Sequence, residues 1–574
     1  MAYIQILKNR EGKKYVYLVE GYRENGKVKK RTLKKFGLLE DLKINEPDVL
    51  DRLKKEAKDG TFIPVTEKEI SITLDLEKKI GFSEKNYSWK LLADLYKSLG
   101  IKKVLEDYET EKKHKYSLNE ILQLLVFQRI LALQSKSATL ESQKNLFGDW
   151  NIIQNHMDKS LDHFHKLKEK IQLSIHQNIT KTIGRTGFLV FYDVTNYYFE
   201  ADLDDKDILD KNGGLLDKGF RKRGPSKEKR PNPIVQMGLF MDQNGIPIAY
   251  KVFPGNHTDP ITYIPSIEEV KKQFGIERIV TVADKAMNSK KNIKETFENN
   301  DGWLFSKKFR GKRGAPKDVQ EYVLDRTGWE YNETCTFAKK SMIREREIAK
   351  NMTVKEKVLV TWSEKYANRE KKRRDGAVEF ANGLRQPEKF RLTCKKGGKK
   401  YLEQYVINEE TGERVILSPF LDIDYELVEY DAQFDGRNVL VTSEILMDDE
   451  EILDNYKQLY KIEDCFRITK TDLQARPIFV WTKEHIESHF LTCFISLVML
   501  RVLQYKLSYK FSILKIVEGL KSGRAQELSK GYWQVQGNED FIEMNKMLNI
   551  FWEKEFVKYE ELKKYGSGWF ATKK

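Results

Sequence analysis

The chain has 574 residues, with 102 lysines and arginines against 87 acidic residues and a net charge of +15, a balance that suits a polyanionic partner but also many merely basic proteins. Hydrophobic residues make up 40% and aromatics 11%, which excludes a disordered chain, and the length suggests about three to five domains. Four cysteines, none in a CxxC pair, argue against zinc fingers and a disulfide framework; no membrane span or secretory leader is legible, so a cytoplasmic protein is expected.

Residues 3–37 alternate polar and apolar side chains, with turn signals at Glu11-Gly12 and Asn25-Gly26. This predicts a small lysine-rich antiparallel sheet that either lies on DNA or is a solvated face. From about 88 to 184 the pattern is helical. One helix closes on Gly100, Ser117 and Glu120 form a capping box before the next, and Ser160 opens a third. His163 and His165 do not share a helix face, so a metal site is not expected there.

An apolar run, Phe188 to Tyr192, carries Asp193 into a strand, and a second, Ile279 to Ala283, ends on Asp284 before a helix opened by Asn288 or Ser289. Both runs read as buried central strands. An acid at such a position is costly unless it has partners. Between them lies a loop, residues 218–231, with seven cations and one acid among glycine, proline and serine; it either holds a DNA strand or is a solubilising surface. A hairpin through Asp242 to Gly245, a helix from Ile261 to Phe274 and a strand GWLFSKK complete a mixed α/β pattern.

Residues 307–447 break this alternation. A second basic loop, KKFRGKRGAPK, has six cations and no acid. Short alternating runs follow, KVLVTW, KFRLTC, KKYLEQYVI and RNVLVTSEIL, together with a charged helical stretch around YANREKKRRDG, and are read as a β-rich insertion. Trp329 and Trp362 there could stack on an unpaired base or simply pack in a core.

Tyr456 to Lys470 reads as one helix. At about 100° per residue, Tyr456, Glu463 and Lys470 fall on one line with Arg467 beside it, while Ile462, Phe466 and Leu473 form an apolar stripe. Two strand-borne aspartates and a helix-borne glutamate are the hard oxygen donors that a pair of divalent cations requires. After Arg476-Pro477 an apolar helix runs from Thr482 to about Leu507. Its His485 and His489 share a face, but no acid of the right phase joins them. The tail from about 511 is amphipathic and aromatic-rich.

The spacing Tyr456, two residues, Leu459, three residues, Glu463, six residues, Lys470 resembles the Y-(2)-R-(3)-E-(6)-K signature of insertion-sequence DDE transposases, with leucine where that family has arginine. The segments around Asp193 and Asp284 are similar to its first two catalytic motifs, and the 179 residues from Asp284 to Glu463 resemble the subgroup with a β-rich insertion. The resemblance implies a multidomain α/β protein with an RNase H-like catalytic core. A basic β-sheet module (1–45) and a helical DNA-end-binding region (46–185) would precede the core (186–306 and 448–510). The β-rich insertion (307–447) would interrupt it, and a C-terminal helical region (511–574) could pair subunits.

It further implies that Asp193, Asp284 and Glu463 are catalytic and hold two Mg²⁺ ions, for which Mn²⁺ can substitute. Tyr456 and Lys470 would contact phosphate, with Lys285 beside Asp284 as a further candidate, and Lys457 or Arg467 would supply the charge missing at Leu459. The implied partners are terminal inverted repeats, target DNA and a second copy of the chain in a homodimer. Two alternatives remain at this point: a non-mobile nuclease or resolvase with the same carboxylates, and a nucleic-acid-binding protein with a dead core.

Overall fold

The structure is a computed structural model that describes all residues except 1, 9–11, 25–26, 60–83, 186–188, 228–230, 312–314, 384–401, 408–413, 530, 551–553 and 571–574. Glu11, Asn25, Gly26 and the KFRLTC run thus lie outside the described residues. The chain divides into two units, residues 1–80 and 81–574.

In the first unit β1 (Ala2–Lys8), β2 (Lys14–Glu24) and β3 (Lys27–Leu38) form the expected antiparallel sheet. Alternation along β2 sends Val16 inward, to a small core with Leu39 of α1 (Leu39–Asn45) and Val49 and Leu53 of α2 (Val49–Asp59). Tyr15 and Tyr17 point the other way and carry Lys35 over their rings at 4.6 and 5.8 Å.

The second unit opens with β4 (Glu84–Asn86) and five helices, α3 (Trp89–Ser98), α4 (Ile101–Lys112), α5 (Leu118–Leu131), α6 (Lys136–Ser142) and α7 (Gln154–Ile183). Ser117 caps α5 by accepting from the Glu120 backbone N–H at 3.2 Å. Ser160 does not open a helix. It lies inside α7, where its hydroxyl donates to the His156 carbonyl at 2.6 Å, the local bond that lets a serine sit within a helix.

Then follow β5 (Leu189–Tyr198), a small hairpin of β6 (Ile208–Leu209) and β7 (Leu215–Asp217), β8 (Ile234–Met241), β9 (Pro247–Pro254), α8 (Asp259–Phe274), β10 (Val280–Ala283), α9 (Lys290–Glu298) and β11 (Gly302–Ser306). Ser289 caps α9. β8 and β9 add antiparallel to one side of β5, whereas β10 and β11 run parallel to it on the other. Strands buried on both faces read as continuous apolar runs for this reason.

After α10 (Lys317–Leu324) come β12 (Glu330–Tyr331), β13 (Phe337–Ala349), β14 (Met352–Ser363), α11 (Glu364–Gly383), the hairpin β15 (Leu402–Ile407) and β16 (Arg414–Ile423), α12 (Tyr425–Ala432) and β17 (Arg437–Thr442). Most of these strands do not form a sheet of their own. β17 pairs antiparallel with both β11 and β14, giving one nine-stranded sheet, β12-β13-β14-β17-β11-β10-β5-β8-β9.

The chain closes with α13 (Asp449–Lys457), α14 (Tyr460–Arg467), α15 (Lys483–Lys506), α16 (Ile513–Ser522), β18 (Arg524–Ser529), β19 (Tyr532–Gln536), α17 (Glu539–Met547), β20 (Phe556–Lys558) and α18 (Tyr559–Lys564). By length and composition α15 could cross a membrane, but its apolar window is wholly buried, and it packs against α7, α5 and β9 as a central core helix. The tail from 511 is not purely helical. β20, β19 and β18 form a sheet with β4, because RAQELS and YWQVQ alternate about a turn at Gly531 and can pair only with each other and with segments distant in sequence.

Candidate active site

Strand register carries the two aspartates. Val282 of β10 pairs with Phe191 of β5, so two residues further along each parallel strand Asp284 and Asp193 stand at the same height on the same face. The next strand continues the row. Ala283 pairs with Phe305, and one residue on, Ser306 donates its hydroxyl to Asp284 Oδ1 at 2.9 Å. Asp284 also accepts from the Lys285 backbone N–H at 2.6 Å, capping a short 3-10 turn, and both Asp284 and Lys285 are exposed.

The segment read as one helix is interrupted. α13 ends at Lys457, Gln458 and Leu459 keep helical dihedrals, and α14 begins at Tyr460. Leu459 packs against the core. Beyond Arg467 the helix widens into a π turn, Ile468–Asp472, with Leu473 N–H donating to Ile468 O at 2.8 Å. Thr469 within it is tied to Tyr197 of β5 at 2.7 Å, and Lys470 donates to Thr195 Oγ1 at 2.8 Å with its ammonium 5.4 Å from the Tyr197 ring.

The structure brings Tyr456 within electrostatic reach of Asp193, Asp284 and Glu463, Glu463 within reach of Asp193, and Lys470 within reach of Asp193. Burial, with contributions from Asp259 and Glu463, pushes the Asp193 carboxyl up to about 6 against the pull of Lys227 and the Val194 N–H. The Tyr456 phenol shares a hydrogen bond with Ser306, and burial together with Asp284, Glu463 and Asp193 pushes it up to about 12. Burial and the neighbouring Lys227 bring the Lys470 ammonium down to about 8, opposed by Asp193. Glu463 is exposed on α14, whose buried face of Ile462, Cys465 and Phe466 docks on the sheet.

Arg467 is not brought into this group. Its guanidinium bonds Asp464 at 2.8–2.9 Å and Asp472 at 3.2 Å, and Asp464 is shared with Arg501 at 2.8 Å. Lys457 is also turned away, toward Asp454 at 3.1 Å. His485 meets Asp162 at 3.2 Å and His489 meets the Ala475 carbonyl at 3.0 Å. Trp329 bonds the Asp325 carbonyl and lies under Lys340, and Trp362 is half-buried in β14.

Three contributors are absent from the sequence reading. Ser306 links Tyr456 to Asp284. Lys227, in the basic loop, donates to the Val194 carbonyl at 2.5 Å beside Asp193. Asp259, at the start of α8, has its carboxyl raised by burial and by Asp284, against Lys227. A serine closing a strand and a lysine in a charged loop are too common to single out without the strand register. Ser306→Ala is expected to slow catalysis by up to about tenfold, the worth of one hydrogen bond of about 0.5–1.5 kcal/mol, and a single-turnover rate measures it.

Two aspartates at the centre of the sheet are thus bordered by a helix-borne glutamate, a phenol and lysines. The transposase DDE domain model matches residues 206–499, just over half of the chain, and the chain belongs to this family. The IS1634 family transposase N-terminal domain model matches residues 4–62. Asp193 lies upstream of the longer match, and its place rests on the register. No curated protein matches the chain.

Similar solved structures include a piggyBac transposase synaptic complex with hairpin DNA, 9% identical, which covers 80% of this chain and 74% of that one with a TM-score of 0.31. A Mos1 transposase paired-end complex with left transposon end is 12% identical and covers 44% of this chain and 66% of that one with a TM-score of 0.14. A Mos1 mariner paired end complex with Mn, also 12% identical, covers 48% and 72% with a TM-score of 0.14.

Proposed function

We propose that this DNA transposase cleaves the ends of an insertion sequence and joins them to target DNA, using Asp193, Asp284 and Glu463 as its metal-binding carboxylates on an RNase H-like core. One observation carries the reading: a single row of Asp193, Asp284 and Ser306 across three parallel strands, with Tyr456 coupled to all three acids. Strand order supports the core. Three antiparallel strands, β9-β8-β5, are followed by two parallel ones, β10-β11, as the family resemblance implies.

Among the described residues no three His, Cys, Asp or Glu side chains are grouped closely enough to hold a metal ion. The donor chemistry nevertheless fits a dication: all three are carboxylates, and the Asp193 carboxyl, raised by burial first and then by Asp259 and Glu463, is a group whose charged form a bound cation favours. Two Mg²⁺ ions, replaceable by Mn²⁺, would supply a polarised nucleophile and neutralise charge on the leaving oxygen. The protein's own groups then position the strand. Tyr456, kept protonated, donates to a phosphate oxygen, while Lys470 and Lys285 contribute charge-assisted contacts.

Lys227 stands where a cation is needed beside Asp193, whereas Arg467 is engaged with Asp464 and Asp472. Lys227→Ala is therefore expected to slow cleavage more than Arg467→Ala does, the latter losing an exposed pair worth about 0–1 kcal/mol. Parallel cleavage assays decide the order, and equal or reversed losses would return the role to Arg467. The first unit's sheet and the α3–α7 helices are proposed to bind element ends, the segment from 511 to pair subunits in a homodimer, and the protein to work in the cytoplasm. Inverted repeats just outside the reading frame, bordered by a short direct duplication, would establish mobility. Their absence, with nicking retained, would favour a host nuclease or resolvase.

A further inference from the structure

A cavity of about 570 Å³ lies beyond the π turn, lined by Arg129 from α5, Lys136 from α6 and Arg476 and Trp481 from the segment that links the π turn to α15. Its size is within the range of about 300–1,000 Å³ that small-molecule and cofactor sites occupy. Three cations from separate elements face one acid in its wall, Asp158, and Asp158 already accepts from Gln154 at 2.8 and 3.0 Å. Among the described residues Lys136 has no hydrogen-bond or ion-pair partner. Burial first, and then the neighbouring Arg129, bring its ammonium down to about 8, opposed by Cys493 and Asp158. At the rim Trp481 is 54% exposed and Phe479 66%, two neighbouring aromatic side chains open to a ligand.

The cavity is connected to the catalytic row. Arg476 lies over the ring of Tyr198 at 5.8 Å, and Phe199 bridges to Ile478, so the segment is laid along the end of β5. From Asp193 to Tyr198 is five residues of that strand, about 16 Å at about 3.3 Å per residue, or roughly five nucleotide steps. Basic-loop residues span the interval. Lys227 stands beside Asp193, and Arg221 sits between Phe199 and Trp481, 5.6 and 5.0 Å from their rings.

Building on the transposase reading, we propose that this cavity binds a nucleoside monophosphate unit, its phosphate held by Arg129, Lys136 and Arg476 and its base stacked at Trp481. The unit belongs to a DNA strand that crosses the catalytic row and runs along the basic loop. A free nucleotide has the same chemistry, and the test separates the two sources.

Binding of a fluorescein-labelled single-stranded oligonucleotide to the full-length protein is measured in EDTA, where no cleavage occurs, and binding of dTMP is measured by calorimetry. Lys136→Ala and Trp481→Ala are each expected to weaken oligonucleotide binding roughly tenfold, Lys136→Arg to bind as wild type, and the salt-dependence slope to fall by about one for Lys136→Ala but not for Trp481→Ala. Loss of oligonucleotide binding alone assigns the site to a DNA strand; loss of dTMP binding as well assigns it to free nucleotide too. If both variants bind as wild type while Lys227→Ala binds more weakly, the cavity proposal falls and the catalytic reading stands. If the wild type binds no DNA, both fall.

Discussion

Alanine in place of Asp193, Asp284 or Glu463, one at a time, is expected to lower Mg²⁺-dependent cleavage of duplexes carrying the element's ends by about a thousandfold or more. Removing a ligand removes the several kcal/mol that a bound metal contributes to charge stabilisation. Affinity for the same duplex should change little, because it resides mainly in lysine and arginine contacts to the backbone. Each acid has its own test. Asp193 and Asp284 share a sheet row, so losing either leaves half of a paired site, whereas Glu463 comes from α14 and can be lost without touching the strands. A variant that cleaves at near the wild-type rate would remove that residue from the site, and a variant that also loses DNA binding would mark it as structural.

Lys470→Ala is expected to cost about ten- to a hundredfold in cleavage, the worth of one charge-assisted phosphate contact of about 1.5–3 kcal/mol. The lysine is placed for this by its bond to Thr195 and its position over Tyr197, two and four residues along β5 from Asp193. Lys470→Arg tests the geometry: a guanidinium is longer and planar, so it should restore charge but only part of the rate. A wild-type rate for Lys470→Ala would make the lysine a packing residue that only braces the π turn against β5.

Much of this site is legible in the chain because its signals are local. The apolar runs before Asp193 and Asp284 need no partner to be read as buried strands, and Ser117, Ser289 and Thr482 announce the helices they cap. What stays hidden depends on contacts between distant segments. A helical wheel assumes one unbroken phase, so it cannot foresee that the chain pauses at Gln458 and Leu459 or that Thr469, tied to Tyr197, accompanies a π turn. Arg467 stands near Glu463 on the wheel, yet Asp464 and Asp472 hold it elsewhere. Ser306 acquires meaning only from the pairing of β10 with β11, and Lys227 only from the return of the basic loop to Val194. In the same way β18 is a short alternating run whose pairing with β4 spans most of the chain.

The most direct test of the central claim places iron in the site. Fe²⁺ substituted for Mg²⁺ in the full-length protein, with ascorbate and peroxide, cuts the backbone close to where the ion is bound, and mass spectrometry maps the cuts. The account predicts cleavage clustered at three places far apart in sequence, around Asp193, Asp284 and Glu463, suppressed by excess Mg²⁺ and lost in Asp193→Ala. Cuts confined to other segments, or an unchanged pattern in Asp193→Ala, would contradict a metal site formed by these three carboxylates.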